Sequence, residues 1–393
     1  MMKNVGVIAR GIKAPIIKKG NDLVQIVVDS LLSASKEGEF KFQDKDVVGV
    51  TESIVARTQG NYATIDQIAK DVATKTGRGT VGLVFPILSR NRFATLLKGI
   101  SMGVDKLIIQ LSYPKDEVGN ALFDTELIDE LKINPYSDVF VGDEIYKTFG
   151  EIKHPFTGMD YIKIYKEVAP NCEVILANNL TEILKYTDKV ITADIHTRKR
   201  SKRILKENGA KVVLGLDDIL NASVDGSGYN DFCGLLGSNM ATDNSVKLFP
   251  RDCQTFVDSV HDLLLEKTGK NIEVMIYGDG AFKDPVGGIW ELADPVVSPA
   301  YTEGLVGTPN EVKLKYLADN SIGDLSGDDA KEAIKNLIKT KEKNLFAKKE
   351  SLGTTPRRLT DLLGSLCDLT SGSGDKGTPI ILIQNYFTNY AED

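Results

Sequence analysis

Between Thr80 and Asp217 short apolar, β-branched runs alternate with amphipathic stretches, and this alternation limits the folds open to the chain. The runs are VGLVFP at 81–86, KLIIQLSYP at 106–114, DVFVG at 138–142, EVILANN at 173–179, KVITADI at 189–195 and KVVLGLDD at 211–218. Helices are predicted between them, near 91–101, 125–133, 159–168, 180–186 and 198–207. The last ends in E-N-G, where Gly209 can take the left-handed conformation that stops a helix. Repeated strand–helix alternation with short connections implies a parallel, doubly wound sheet and an α/β fold class. At 393 residues the chain has room for roughly two or three domains, each with its own core.

In an open parallel sheet, ligands sit beyond the carboxyl ends of the strands. The residues there are Ser89, Arg90, Asn91 and Arg92; Ser112 and Tyr113; Asp143 and Glu144; Asn178 and Asn179; and Asp194, His196 and Thr197. They suit a small-molecule pocket, and they equally suit the helix caps of any α/β protein. No G-x-G-x-x-G follows these strands, which argues against a dinucleotide cofactor. The basic run at 196–203, with Arg198, Lys199, Arg200, Lys202 and Arg203, fits either an anion site at a helix start or a solvated face. The three histidines, His154, His196 and His261, lie too far apart for metal-ligand or triad spacing. A formal charge of −7 argues against a general nucleic-acid binder. Cys172, Cys233, Cys253 and Cys367 show no C-x-x-C pairing, as expected of reduced thiols in the cytoplasm. Neither a signal peptide nor a membrane span is expected.

The chemistry concentrates outside this region. In DVVGVTESIVARTQG, at 46–60, the apolar Val47, Val48 and Val50 read as a buried strand. The polar break Thr51, Glu52, Ser53 follows, with Arg57 and Gly60 beyond, presenting two hydroxyls and a carboxylate where a central strand ends. EVMIYGDGAFKDP, at 273–285, is another apolar strand, ending in G-D-G, where glycines permit close approach and Asp279 can hold Mg²⁺ beside a phosphate. SGSGDKGTPIILIQ, from 371, is a glycine-rich loop entering a buried strand, whose successive amides can form an anion-binding nest. A helix over 23–35 is expected to be capped by Asn21 or Asp22.

These segments, in this order, resemble the coenzyme F-420-0:L-glutamate ligase (gamma-glutamyl ligase) family. The resemblance rests on PIIKKGNDL at 15–23, on T-E-S-I-V-A-R at 51–57, on GLLGSNM at 234–240, on the G-D-G strand end and on the loop at 371–379. It implies a core built from 1–75 and 221–393, interrupted by an inserted Rossmann-like α/β domain at 76–220, of about 140 residues. It also implies GTP (or ATP) and Mg²⁺ or Mn²⁺ as cofactors, L-glutamate and a small-molecule carboxylate as substrates, and a homodimer. Neither nucleic acid nor membrane is an expected partner.

Carried over residue by residue, Ala14, Pro15, Ile16, Ile17, Glu52, Ser53, Arg57, Asn239 and the loop Ser371, Gly372, Ser373, Gly374 and Asp375 fall on nucleotide-binding positions. Arg57 replaces a lysine, keeping a cation while offering a planar fork of donors. Arg57 and Lys283 are the catalytic candidates, and Asp279 and Asp243 the metal candidates. The family's other metal aspartate falls on Leu236, which ligates nothing, and its G-R-x-x-R is replaced by KDP. The expected activity is amide formation through an acyl phosphate, as in coenzyme F-420 biosynthesis. The alternatives are a folate-type gamma-glutamyl ligase and a non-catalytic nucleotide- or metabolite-binding homologue.

Overall fold

The computed structural model describes residues 5–155, 157–278, 296–323, 325–351, 354, 357–371 and 375–392. The chain opens with β1 (Ile8–Ile12), α1 (Leu23–Glu37), β2 (Val47–Thr51), α2 (Glu52–Gln59), β3 (Tyr62–Thr64) and α3 (Ile65–Thr76). Its middle runs through β4 (Thr80–Val84), α4 (Thr95–Met102), β5 (Lys106–Leu111), α5 (Glu126–Glu130), β6 (Phe140–Val141), α6 (Asp143–Phe149), α7 (Tyr161–Val168), β7 (Cys172–Leu176), β8 (Lys189–Thr192), α8 (Arg198–Glu207) and β9 (Val212–Gly215). It closes with β10 (Asn239–Thr242), β11 (Ser245–Lys247), α9 (Cys253–Thr268), β12 (Glu273–Tyr277), α10 (Leu314–Asn320), α11 (Gly327–Lys339), α12 (Leu359–Thr370) and β13 (Ile380–Gln384).

The alternating middle forms a six-stranded sheet of order β6-β7-β5-β4-β8-β9. Its strands pair in parallel except at β6, an edge strand of two residues antiparallel to β7. Both faces are buried, with Leu83, Leu107, Ile109 and Ile191 in one cluster and Val84, Ile108, Ile175 and Val190 in the other. Unbroken apolar runs are what a sheet buried on both faces requires.

Strand order reverses between β4 and β8, where a doubly wound sheet opens a crevice. Here the chain fills that crevice itself. Leu235 and Leu236 pack against Ile87, Phe93, Leu96, Ala193 and Leu216, leaving about 20 Å³. The polar residues at the other strand ends tie down loops. Asn178 bonds the Tyr113 backbone both ways, at 2.9 and 2.6 Å. Ser89 accepts from the Arg92 amide at 3.1 Å, and Asp194 accepts from the Thr197 and Ser201 hydroxyls at 2.6 and 2.7 Å. Arg198, Lys202 and Arg203 of the basic run on α8 are likewise paired from within. Glu117 accepts from the amides of Ile195, His196 and Thr197 at 2.7–2.9 Å, while Arg198 and Lys202 both pair with Asp217.

The other elements build two further sheets, a four-stranded one of order β1-β13-β2-β12 and a three-stranded antiparallel one of order β10-β11-β3. In the larger, β2 runs parallel to β12 and antiparallel to β13, which pairs antiparallel with β1. Val48, Val50, Val274 and Ile276 face α1 and α9, and Val47, Met275 and Tyr277 face α12. Asp22 caps α1, its Oδ1 accepting from the Gln25 amide at 3.1 Å. Among the described residues, no helix is long and apolar enough to cross a membrane.

Candidate functional site

The antiparallel and parallel pairings of the four-stranded sheet bring the carboxyl ends of β1, β2 and β12 to the same edge as the amino end of β13. Ile12 pairs with Ile380, Ile380 with Val50, and Thr51 with Tyr277. At that edge lies a cavity of about 610 Å³. Its walls are Ala14, Pro15, Ile16 and Ile17 after β1; Thr51, Glu52, Ser53, Ile54 and Arg57 after β2; Tyr277 and Gly278 after β12; and Ser371, Gly377, Thr378 and Pro379 before β13. Asn239 and Asp368 complete it.

Backbone hydrogen bonds hold the walls together. The Thr51 amide donates to the Pro379 carbonyl at 3.0 Å, and the Ala14 amide to the Gly377 carbonyl at 3.3 Å. Gly20 donates to Thr58 at 2.9 Å, pinning the loop after β1 to the end of α2. That end is closed by Gly60 at φ +61, against which the Lys19 side chain packs.

The polar break after β2 is the first turn of a helix rather than a turn between strands. α2 begins directly at the strand end, with Glu52, Val55 and Ala56 buried at the i, i+3, i+4 spacing of one helix face. Thr51, at its N-cap, makes no side-chain capping bond. The amino-terminal amides of a helix carry partial positive charge and favour anions. Arg57 lies exposed on the last turn and, among the described residues, makes no ion pair.

Glu52 is buried, and Lys247 on β11 donates to its Oε1 at 2.9 Å. Neither side chain is more than 9% exposed, so this pair is a fixed internal strut of the wall. Tyr277, 1% exposed, lies among Thr51, Ser371 and Cys367, and burial pushes its phenol well above the ordinary tyrosine range. The Ser371 and Thr51 hydroxyls beside it temper that rise.

Most sequence-predicted positions therefore converge: Ala14, Pro15, Ile16, Ile17, Glu52, Ser53, Arg57, Asn239 and Ser371 all line one cavity. Asp243 and Asp375 do not. Asp243 is exposed at the tip of the β10–β11 hairpin, and Asp375 is exposed ahead of Gly377. Asp279, Lys283, Gly372, Ser373 and Gly374 lie outside the described residues. Among the described residues, no group of three His, Cys, Asp or Glu side chains is placed to hold a metal ion. Leu236, where an aspartate was expected, is 1% exposed in the core of the six-stranded sheet. Sequence reasoning missed Tyr277 and Asp368. Each belongs to an apolar stretch that reads as core, and only the ends of β12 and α12 reach the cavity.

Comparison with curated proteins finds no match. Among solved structures, the biosynthetic arginine decarboxylase SpeA of Campylobacter jejuni is 11% identical over 93% of this chain and 68% of its own. Its TM-score is 0.15, which carries no argument about fold. The model of the F420-0:Gamma-glutamyl ligase family matches residues 11–385, a span holding every wall of the cavity. The chain belongs to the F420-0:gamma-glutamyl ligase family.

Proposed function

We propose that the protein is a nucleotide- and metal-dependent amino-acid ligase that joins L-glutamate to a small-molecule carboxylate through an acyl phosphate. The family indicates a gamma-glutamyl ligase-like activity. One observation carries the finer reading: a single cavity, at the edge where four strand ends meet, gathers a helix amino terminus, a guanidinium and several hydroxyls.

A triphosphate fits such a lining. The α2 amides, the Ser53 hydroxyl and Arg57 supply donors and positive charge for phosphate oxygens, and Pro15 and Ile16 offer an apolar ledge to a base. In the proposed reaction an oxygen of the acceptor carboxylate attacks the γ-phosphorus, and the nucleoside diphosphate leaves with the bridging oxygen. The α-amine of glutamate then attacks the acyl carbon, phosphate departs, and the nitrogen sheds a proton as the amide forms. Arg57 and the α2 amides bear the charge of the transferring group. Mg²⁺ or Mn²⁺ is proposed to arrive with the triphosphate. The described carboxylates of the cavity, Glu52 and Asp368, do not by themselves make a three-ligand site.

A second reading, nucleotide binding without catalysis, draws on Leu236, which occupies core where the resemblance expects a metal aspartate. Thermal unfolding with GTP, ATP and GDP, each with and without Mg²⁺ or Mn²⁺, tests both readings. A ligand bound by the native state alone raises the midpoint with the logarithm of its concentration over Kd. A metal-dependent rise with one triphosphate is expected, along with a smaller rise for Arg57→Ala, whose own stability is unchanged because the side chain is exposed. No rise with any nucleotide overturns both readings. Phosphate release that requires glutamate and an acceptor separates the ligase from the binding protein.

A further inference from the structure

Tyr277 ends β12, directly opposite Thr51 at the end of β2. Its ring is packed on the α12 side of the sheet, with Met275, Leu363 and Cys367 in the same cluster. Tyr277 is nevertheless one of the residues that line the cavity. Among the described residues its Oη has no hydrogen-bond partner within bonding distance, although the residue is 1% exposed. The Ser371 and Thr51 hydroxyls lie beside it, and Ser371 Oγ donates its own proton to the Asp368 carbonyl at 3.1 Å.

A buried hydroxyl left unbonded has lost its water and gained nothing in return. Phenylalanine would fill the same volume between sheet and helix without that loss. The hydroxyl is therefore not accounted for by packing, and what remains open to it is the cavity. Its surroundings there are rich in donors: the α2 amides, the hydroxyls of Thr51 and Ser371, and Arg57. Of the two described carboxylates, Glu52 is tied to Lys247. A ligand that satisfies such a lining brings acceptors.

We propose that the Tyr277 phenol is a ligand-binding donor of this cavity, giving its O–H to an anionic oxygen, phosphate or carboxylate, of the molecule bound there. This rests on the reading of the cavity as the ligase's nucleotide and substrate site. Burial keeps the phenol protonated throughout the neutral range, so it serves as a donor and not as a base.

The test is Tyr277→Phe, compared with the unsubstituted protein in thermal unfolding titrations with GTP, ATP, inorganic pyrophosphate and L-glutamate, each with Mg²⁺. Without ligand, the variant is expected to unfold at the same temperature as the parent or higher, because it discards an unbonded hydroxyl. With ligand, the Kd of the probe whose oxygen Tyr277 takes is expected to weaken on the order of tenfold, the usual scale of a hydrogen bond to a charged group. Weakening for the nucleotides and pyrophosphate alike places the phenol on phosphate, and weakening for glutamate alone places it on a carboxylate. A parent protein that binds a probe and a variant that binds it equally well overturn the donor role and leave the ligase reading standing. A ligand-free midpoint that falls while binding is unchanged makes the hydroxyl structural and also overturns it. A parent protein that binds none of the probes overturns both readings together.

Discussion

Gly49 shows how one residue of β2 sets the distance between sheet and helix at the candidate site. A Cβ built there would lie 2.4 Å from Cys367 Sγ and 3.2 Å from a ring carbon of Tyr277. Its φ is not positive, so contact rather than backbone conformation demands the glycine. Gly49→Ala is expected to cost about 1–3 kcal/mol, the scale of overpacking a dense core, and to displace α12 and the Tyr277 ring beneath it. Chemical denaturation measures the cost, and adding Cys367→Ala, which removes the closest atom, is expected to recover most of it. A double variant no more stable than Gly49→Ala alone would show that the clash lies elsewhere. V-V-G-V is legible in the sequence as a buried strand, but the reason for its glycine is not, because the sulfur it accommodates arrives from a helix near the other end of the chain. Glu52 has a similar history. Its place beside the cavity follows from the sequence resemblance, whereas its pairing with Lys247 depends on a hairpin that no local pattern connects to it.

At the scale of elements, α8 was legible to the residue, because its amphipathic run is bounded by a clear stop at Gly209 with φ +97. α2 was not legible, since eight residues with three buried positions offer little periodicity and its first turn looks like a polar loop. β6 was read as a strand but its direction was hidden: direction follows from how the long connection after β5 returns, not from the two residues that pair. The loop between α6 and α7 carries a prediction of its own. His154 is buried there, and its Nδ1 accepts the Thr157 amide at 3.1 Å, which requires that nitrogen to be unprotonated. Burial lowers its pKa from 6.5. The unfolded chain then binds a proton more readily than the native one, so this contribution to stability is complete above pH 6.5 and is lost as pH falls through the lower native value. Buried Asp46, Asp116 and Asp194 have pKa values raised by burial, so they shift stability the opposite way, in a window starting at 3.8. His154→Gln keeps those carboxylates and removes the imidazole. Between about pH 7.5 and 5 the parent is therefore expected to lose more stability than the variant. Parallel pH profiles for the two proteins would contradict the account.

Across the whole molecule, the packing that the sequence conceals is that between segments far apart. The parallel sheet is legible from its alternating runs, yet its own reversal point is closed by a turn from beyond its last strand. The core cluster around it extends from Ala63 through Phe249, joining β3, α3 and the 233–249 stretch to the six strands. That joint explains why Leu236 stands where a metal aspartate was expected. The position faces Ile87, Phe93, Leu96 and Ala193 in a space with about 20 Å³ to spare, where an ionised carboxylate gives up its hydration and Arg92 is the described cation of the lining. Two variants separate packing from lost metal chemistry. Leu236→Ala removes methyl groups and is expected to cost about 2–5 kcal/mol. Leu236→Asp removes the same apolar contacts and adds a buried charge, so its midpoint is expected to fall below that of Leu236→Ala, with no recovery on adding Mg²⁺ or Mn²⁺. Near-neutral pH is the condition to use, because a buried carboxyl that takes up a proton at lower pH recovers part of the loss. If a divalent ion instead restores Leu236→Asp and leaves Leu236→Ala unchanged, the turn at 235–238 is a metal station that this chain has emptied, and the leucine is not there for the sheet.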